Sequence, residues 1–341
     1  MIYPEKINKY EMIGVTAPSA GMEKERDLHK LISAEKNMKE LGFQVLETPN
    51  VRTVEGLVSS NAKQRAKEFL SLWERDDVKY IILARGGEFL MEMLPYLDIK
   101  RLVNATPKWV QGFSDSSKLL FYLTTNYEIA TIHAANYSTY GMNPLHSSLL
   151  TSLQFVQNPK EELVQESFAL YEKTKISREE GKELAPYYLT EKVKYQNLYS
   201  SDKEEIDGRL IGGCADALVN LVGTKFDHTR EFCEKFPEGM LWYLENCEMS
   251  ILDFYRALWQ MRMAGWFDNA NGFLIGRTMA NESVGDLTYE DVLHMIFDDM
   301  NVKVIYEVDF GHIAPQWTLV NGAMSEFKYE AGKGKIRSVL L

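Results

Sequence analysis

A serine on the turn between a predicted strand and a predicted helix is the first feature of this sequence that could do chemistry. Residues 109–112 predict a strand and residues 116–125 predict a helix, and Ser114 lies between them in the segment QGFSDSS. A hydroxyl held there is exposed, and the following amides and the helix dipole can stabilise an oxyanion. The pattern is G-x-S-x-S, without the second glycine of a nucleophile elbow. The alternative is that Ser114 or Ser116 is simply the N-cap of the helix.

A serine nucleophile needs a general base, and two of the six histidines are candidates. His312 follows a predicted strand at residues 302–306, and Gly311 and Pro315 fix an exposed loop that suits a base presenting one ring nitrogen. His133 follows a short predicted strand end and is the second candidate. The third possibility is that no histidine is catalytic.

A carboxylate that orients the imidazole would complete such a site. Residues 241–244 are an apolar strand that ends in Glu245. An acid at the end of an apolar strand is costly to bury unless it is paired, although a solvated strand end is an equally simple explanation. Glu248 is the other acid nearby, and its position before a predicted helix at residues 251–265 is explained by the helix dipole.

Paired glycines follow the predicted buried strand at residues 79–84. Because Gly86 and Gly87 carry no side chain, their backbone N–H groups could approach a reacting carbonyl closely. A tight turn would explain the pair equally well.

The elements that must position these residues alternate between strands and helices over the first 150 residues. Such alternation predicts an open, mostly parallel sheet with helices on both faces. Ligands bind outside the carboxyl ends of the strands in sheets of this kind, so the loops at residues 17–21, 85–89 and 112–117 are expected to converge.

The composition of the chain becomes markedly more polar near residue 155. This change predicts a division of the chain into three parts. Residues 1–155 form an N-terminal α/β domain that carries Ser114. Residues 156–206 are a polar segment, rich in Glu and Lys, that crosses between domains and contains one or two helices. Residues 207–341 form a C-terminal mixed α/β domain that carries the other two residues, which places the active site at the domain interface.

Charge and composition exclude several classes of function. The 38 Lys and Arg against 49 Asp and Glu give a net charge of −11, so a nucleic-acid partner is not expected. The sequence has neither a signal-peptide pattern nor a run of about 18 apolar residues, which predicts a cytoplasmic protein without a membrane partner. Three widely spaced cysteines indicate no disulfide framework, and no metal, dinucleotide or P-loop motif is present, so we expect no metal and no cofactor.

Six motifs in order resemble the LD-carboxypeptidase family, the serine peptidases of the S66 type. The resemblance extends from about residue 10 to the C-terminus. The motifs are APSAG at 17–21, ARGGEFLMEMLPYLD at 84–98, QGFSDSSKLLFYL at 111–123, GRLIGGCADALVNLVGT at 208–224, LENCE at 244–248 and DFGHIAP at 309–315.

The resemblance implies a cytoplasmic serine hydrolase, usually a homodimer, with its active site between the two domains. It implies Ser114 as nucleophile, Glu245 as the orienting carboxylate and His312 as base. The backbone amides of Gly87 and Asp115 would form the oxyanion hole. By the same resemblance, two further residues of the glycine loop contact the substrate: Gly86 and Glu88.

Two branches of the family define the possible small-molecule partners. One removes the terminal D-alanine from peptidoglycan tetrapeptides by cutting an L,D bond. The other, the microcin C immunity type, cleaves an amide between an acidic amino acid and a nucleotide, and the length of the polar segment favours this branch. That branch stacks a Trp on the nucleobase, whereas residues 155–205 contain none. The aromatic residues that could substitute are Phe168, Tyr187, Tyr188 and Tyr195.

Two further departures from the family pattern affect the site. Cys214 replaces the usual Asn after Gly-Gly, and Glu88 and Phe89 replace the small or polar residues that usually follow the first glycine pair. A catalytically inactive ligand-binding protein with the same crevice is the alternative from another class.

Overall fold

A computed structural model describes all of residues 1–341. Its sixteen strands, β1 to β16 in chain order, are Met12–Thr16, Gln44–Glu47, Val78–Leu83, Trp109–Gly112, Thr131–His133, Leu163–Glu166, Leu170–Tyr171, Glu191–Lys192, Gln196–Asn197, Lys203–Cys214, Met240–Glu245, Ala270–Gly276, Lys303–Val308, Leu319–Asn321, Met324–Glu330 and Lys333–Val339. Its nine α-helices, α1 to α9, are Glu25–Glu40, Ala62–Trp73, Ile99–Asn104, Ser117–Tyr127, Ser147–Gln157, Ala215–Leu218, Thr229–Glu234, Ile251–Met263 and Tyr289–Phe297.

The first sheet has six strands in the order β14-β5-β4-β3-β1-β2, and all its pairs are parallel except β14 with β5. Strand β3 shows why both faces are covered. Ile81 and Leu83 point into one hydrophobic core, while Tyr80 and Ile82 point into another on the opposite face. A strand buried on both sides reads as a continuous apolar run, as residues 80–84 do.

The second sheet has eight strands in the order β6-β16-β15-β10-β11-β12-β13-β9. Its centre, β10 to β13, is parallel, and antiparallel strands flank it on both sides. The predicted mixed α/β class with two sheets is confirmed.

Helix α4 joins the two sheets. Its Phe121 stacks on Trp266 of the C-terminal half with ring centroids 5.0 Å apart, and the hydrophobic core around it includes buried residues of both sheets. At the start of the same helix, Ser117 Oγ accepts a hydrogen bond of 3.1 Å from the backbone N–H of Cys214 at the end of β10. The turn that carries Ser114 is thereby fixed against the second sheet.

The polar segment differs from the sequence prediction, because it contains no α-helix after Gln157. The prediction of one or two helices there was wrong. Its regular structure is four short strands and a 3-10 turn at Ile176–Arg178, with β6 and β9 forming the two edges of the second sheet. A Glu- and Lys-rich helix without an apolar stripe gains little from packing, whereas an open sheet edge offers unpaired backbone groups.

Strand β14 crosses back from the C-terminal half to pair with β5 of the first sheet. The three-part division of the chain therefore stays a prediction. No helix combines the length and the apolar character needed to cross a membrane.

Candidate active site

Ser114 sits on a sharp turn directly after β4. Its backbone is left-handed, with φ of 66°, and it begins a 3-10 turn that continues into α4. A non-glycine residue in this conformation costs roughly 1–2 kcal/mol. The turn also requires close neighbours without side chains, because a Cβ on Gly86 would lie 2.9 Å from the Ser114 side chain and one on Gly112 would lie 2.8 Å from Ser116 Cβ.

The N-cap alternative does not describe this turn. Ser116 precedes α4 without making a side-chain cap, and its buried hydroxyl has no hydrogen-bond partner. The Ser114 hydroxyl is instead hydrogen-bonded to a histidine from the other half of the chain.

A continuous hydrogen-bond chain links Ser114, His312 and Glu245. His312 Nε2 lies 2.9 Å from Ser114 Oγ, and His312 Nδ1 lies 2.9 Å from Glu245 Oε2. The same carboxylate oxygen accepts the backbone N–H of His312 at 2.9 Å. In the neutral imidazole with Nδ1–H donating to the carboxylate, Nε2 is free to accept the serine proton.

The carboxyl ends of parallel strands bring these residues together. Glu245 ends β11 beside Cys214, which ends β10, and the loop carrying His312 follows β13. The loop can approach Glu245 only because residue 311 is glycine, since a Cβ there would lie 2.0 Å from Glu245 Oε2.

Burial and pairing shift the pKa values of this pair in opposite directions. Burial would raise the pKa of Glu245, but the charge of His312 and its two hydrogen bonds hold that pKa below its usual range. Burial would lower the pKa of His312, but the Glu245 carboxylate and the Cys247 thiol outweigh it and raise this pKa to about 10. The carboxylate is therefore ionised and favours the imidazolium that forms when a serine is deprotonated.

His133, the second candidate base, lies behind Glu245. Its Nε2 is 3.9 Å from Glu245 Oε1, and neither ring nitrogen has a hydrogen-bond partner. Burial lowers its pKa to about 4, so it is neutral. The structure therefore brings His312 to the serine, while His133 packs beneath the carboxylate.

A buried ion pair that the sequence analysis missed lies under the serine turn. Asp115 was singled out for its amide, but its carboxylate also accepts hydrogen bonds from Ser19 Oγ at 2.5 Å and from the Leu90 N–H at 2.9 Å, and it pairs with Lys118. Both charged side chains are 2 % exposed. From the loop at 112–117, this carboxylate thus contacts the loop at 17–21 and the residue that follows the loop at 85–89. The available signal was a lysine three residues after Asp115 in an otherwise apolar helix.

Lys118→Met is expected to destabilise the fold by about 3–5 kcal/mol, because it leaves the Asp115 charge buried and unpaired. Urea unfolding measures the loss. Lys67→Met, which removes an exposed lysine from α2, is the matched control and should stay within about 0.5 kcal/mol of the parent. Adding Asp115→Asn to Lys118→Met should recover part of the loss, and equal stability of Lys118→Met and the parent would contradict the ion pair's role.

A cavity of about 480 Å³ opens above Ser114 and His312. The remaining predicted site residues, Gly86, Gly87 and Glu88, also line it, as does Asp115. A Cβ on Gly86 would lie 3.7 Å from the Asp115 nitrogen, so Gly86 lies beside the amide that follows the serine.

Charged side chains line this cavity in two groups. The basic wall consists of Lys30, Arg85 and Arg178, with Asp27 as its one acid. The acidic group contains Glu88, Asp216 and Glu248. Burial and the neighbouring carboxylates, Glu248 foremost, raise the pKa of Glu88.

None of the four aromatic residues considered for a nucleobase lines this cavity. Phe168 lines a separate cavity beside Trp317, Tyr195 is buried elsewhere, and Tyr187 is half-buried outside both cavities. Tyr188 is exposed outside both cavities. Phe113 is the aromatic side chain at the site, and its ring lies 4.9 Å from that of His312.

Three side chains that could ligate a metal ion lie close together in the same site. Ligand atoms of Cys214, Glu245 and His312 lie within 4.8 Å of one another. Their donor atoms are already engaged, because Glu245 binds His312 and the Cys214 thiol lies 3.5 Å from Asp216 Oδ2. The residues therefore fit a hydrogen-bonded proton relay better than a ligand set.

The fold and the site together define a class: a two-sheet α/β protein with a Ser–His–Glu constellation in a charged cavity. The chain belongs to the LD-carboxypeptidase family, whose N-terminal domain matches residues 13–134 and whose C-terminal domain matches residues 207–327. The predicted family is confirmed, and the chain is a member of a family of peptidases.

Individual relatives are distant in sequence and differ in how much of this chain they cover. The probable murein peptide carboxypeptidase of Bacillus subtilis (strain 168) is 25% identical over 324 residues, which cover 94% of this chain and 89% of the relative. The murein tetrapeptide carboxypeptidase of Pseudomonas aeruginosa is 27% identical over 205 residues, 60% of this chain and 57% of the relative.

Solved structures share the fold over the full length. An MccF-like protein from Bacillus anthracis str. Ames has a TM-score of 0.85 at 20% identity and covers 100% of both chains. The microcin C7 self immunity protein MccF in complex with aspartyl sulfamoyl adenosine has a TM-score of 0.83 at 20% identity, covering 100% of this chain and 99% of the other.

Proposed function

We propose that this protein is a serine peptidase in which Ser114 is the nucleophile, His312 the general base and Glu245 the orienting carboxylate. The observation that carries the proposal is the unbroken hydrogen-bond chain from Ser114 through His312 to a fully buried Glu245. A buried, ionised carboxylate beside the imidazole stabilises positive charge on it, which is what a base needs while it holds the serine proton.

The reaction follows from these positions. Ser114 Oγ bonds to the scissile carbonyl carbon as His312 Nε2 takes its proton. The carbonyl oxygen becomes an oxyanion and accepts hydrogen bonds from the amides of Gly87 and Asp115. His312 returns the proton to the leaving amine as the C–N bond breaks, and water then releases the acyl group by the reverse sequence. The Asp115 amide suits this role because the first N–H groups of a helix lack intrahelical partners.

The proposed substrate is a muropeptide tetrapeptide, cut at an L,D bond to release its terminal D-alanine. Murein peptide relatives at 25% and 27% identity support this choice. An aminoacyl-nucleotide is the second candidate, because similar structures hold aspartyl sulfamoyl adenosine and AMP. The peptide is favoured because the cavity is lined mostly by polar and charged side chains, and the aromatic residues of the polar segment lie outside it.

Parallel assays on the purified protein separate these substrates. We expect release of D-alanine from the tetrapeptide and little cleavage of aspartyl or glutamyl sulfamoyl adenosine. Preferential cleavage of the sulfamoyl adenosines would reverse the assignment. Inertness towards both would reject both substrates.

A fluorophosphonate probe distinguishes a serine peptidase from an inactive binding protein. The probe labels Ser114 in an active site, whereas it does not label a passive pocket.

The proposal also includes the homodimer and the cytoplasmic location that the family resemblance implies. Sedimentation of the pure protein tests the dimer.

A further inference from the structure

The basic wall of the cavity, formed by Lys30, Arg85 and Arg178, makes a single ion pair. Arg85 lies 3.5 Å from Asp27, whereas Lys30 and Arg178 have no acid within ion-pair distance. These cations can therefore bind an anion, although the chain as a whole has a net charge of −11.

The wall is held in place by contacts that do not neutralise it. Arg26 of α1 donates hydrogen bonds to the backbone carbonyls of Ser177 at 3.1 Å and Arg178 at 3.3 Å. His29, in the same helix, contacts Glu183 Oε1 at 2.8 Å. These contacts fix the polar segment on α1, the helix that carries Lys30, and Arg178 and Lys30 line the same cavity.

Charges of both signs act on Lys30. Burial and the charges of Arg26 and Arg85 lower its pKa, against the opposing effect of Asp27 and Glu183. A group of cations that lines a cavity and makes few ion pairs is typical of an anion-binding site.

The anion must bind close to the reacting bond. Arg85 directly precedes Gly86, whose Cα faces the Ser114 side chain so closely that a Cβ there would lie 2.9 Å away. The carboxylate of a C-terminal residue is separated from the scissile carbonyl by one residue, roughly 3.5 Å of extended chain. A terminal carboxylate can therefore reach the basic wall while its peptide bond lies at the serine.

We propose that Lys30, Arg85 and Arg178 bind the free C-terminal carboxylate of the peptide, and so restrict cleavage to the terminal residue. This inference rests on the proposed peptidase function. Arginine presents parallel N–H groups that match the two oxygens of a carboxylate, and the phosphate of a nucleotide offers similar oxygens. The chemistry recognised is an oxyanion, and the test below separates its two sources.

Binding to the inactive Ser114→Ala protein tests the wall without relying on catalysis. The ligands are a muropeptide tetrapeptide as the free acid, the same peptide as its C-terminal amide, and AMP, each titrated by calorimetry. The free acid should bind at least about tenfold more tightly than the amide, as expected for a charge-assisted contact. Adding Arg178→Gln should reduce that ratio severalfold. Adding Lys182→Gln, which removes an exposed charge from the same segment, should leave the ratio unchanged.

The outcomes separate this inference from the peptidase assignment. Equal binding of acid and amide, or an unchanged ratio in Arg178→Gln, overturns the carboxylate site even if the wild-type protein cleaves the tetrapeptide. If AMP binds more tightly than the peptide and Arg178→Gln abolishes that binding, the basic wall binds a phosphate. This result would also overturn the carboxylate site. If the protein clearly prefers the free-acid peptide to the amide but hydrolyses neither, the carboxylate site is supported and the peptidase function is rejected.

Stability provides a second readout. Since neither Arg178 nor Lys30 makes an ion pair, Arg178→Gln and Lys30→Gln should unfold within a few degrees of the parent temperature. A lower unfolding temperature in both would mean that these residues support the fold, and would overturn the idea of a wall built for a ligand.

Discussion

Ser114→Ala is expected to lower kcat by at least about 10³-fold while the protein keeps its fold. The substitution removes the hydroxyl oxygen that lies 2.9 Å from His312 Nε2. Alanine carries the same Cβ as serine, so the left-handed backbone at this position is no more strained than before. Tetrapeptide turnover gives the rate, and circular dichroism checks the fold.

Ser116→Ala is the matched control for this variant. It removes a hydroxyl two residues further along the same turn, and that hydroxyl has no hydrogen-bond partner. We expect a kcat close to that of the parent and full labelling by a fluorophosphonate, whereas Ser114→Ala should not be labelled. Equal losses in the two variants would mean that the shape of the turn matters and that the Ser114 oxygen does not.

Local sequence patterns were sufficient to predict most of the first sheet. Strands β1, β3 and β4 are short apolar runs that end in glycine- or serine-rich loops, and both signals depend only on neighbouring residues. Strand β14 depends instead on pairing with β5, almost 190 residues earlier along the chain, which no local pattern encodes. The prediction of helices in the polar segment was wrong for a related reason. Strands β6 and β9 of this segment form by pairing with the edges of the second sheet, which no local pattern encodes.

The site residues could be predicted where a residue type suited to catalysis lies at the end of a predicted strand. Glu245 ends one parallel strand of the second sheet and the loop of His312 follows another, so topology brings these two near each other. Ser114 follows a strand of the first sheet, and the packing of α4 brings it to them. Lys118 and Arg178 could not be recognised, because a single cation in a helix or in a polar segment usually faces solvent. Which cations come to line the cavity is decided by packing between distant segments, as in the contact of Arg26 with Ser177.

Glu245→Gln is expected to lower kcat by about 10³- to 10⁴-fold, because a neutral amide no longer fixes the Nδ1–H form of His312 or stabilises its charged state. The buried position tolerates the similar shape of glutamine, so the fold should persist. Steady-state turnover of the tetrapeptide measures the loss. Activity within tenfold of the parent would remove Glu245 from the mechanism.

The same variant should also move the pH profile in a defined direction. In the parent, Glu245 is a main cause of the raised pKa of His312, so the acid limb of kcat/KM should lie above the 6.5 of an ordinary imidazole. Removing the carboxylate leaves burial, which disfavours the charged imidazole, so the limb should shift to lower pH. Glu248→Gln removes an exposed acid three residues away and should leave the limb in place. A limb that moves to higher pH in Glu245→Gln, or that moves equally in both variants, would show that His312 does not take its basicity from Glu245.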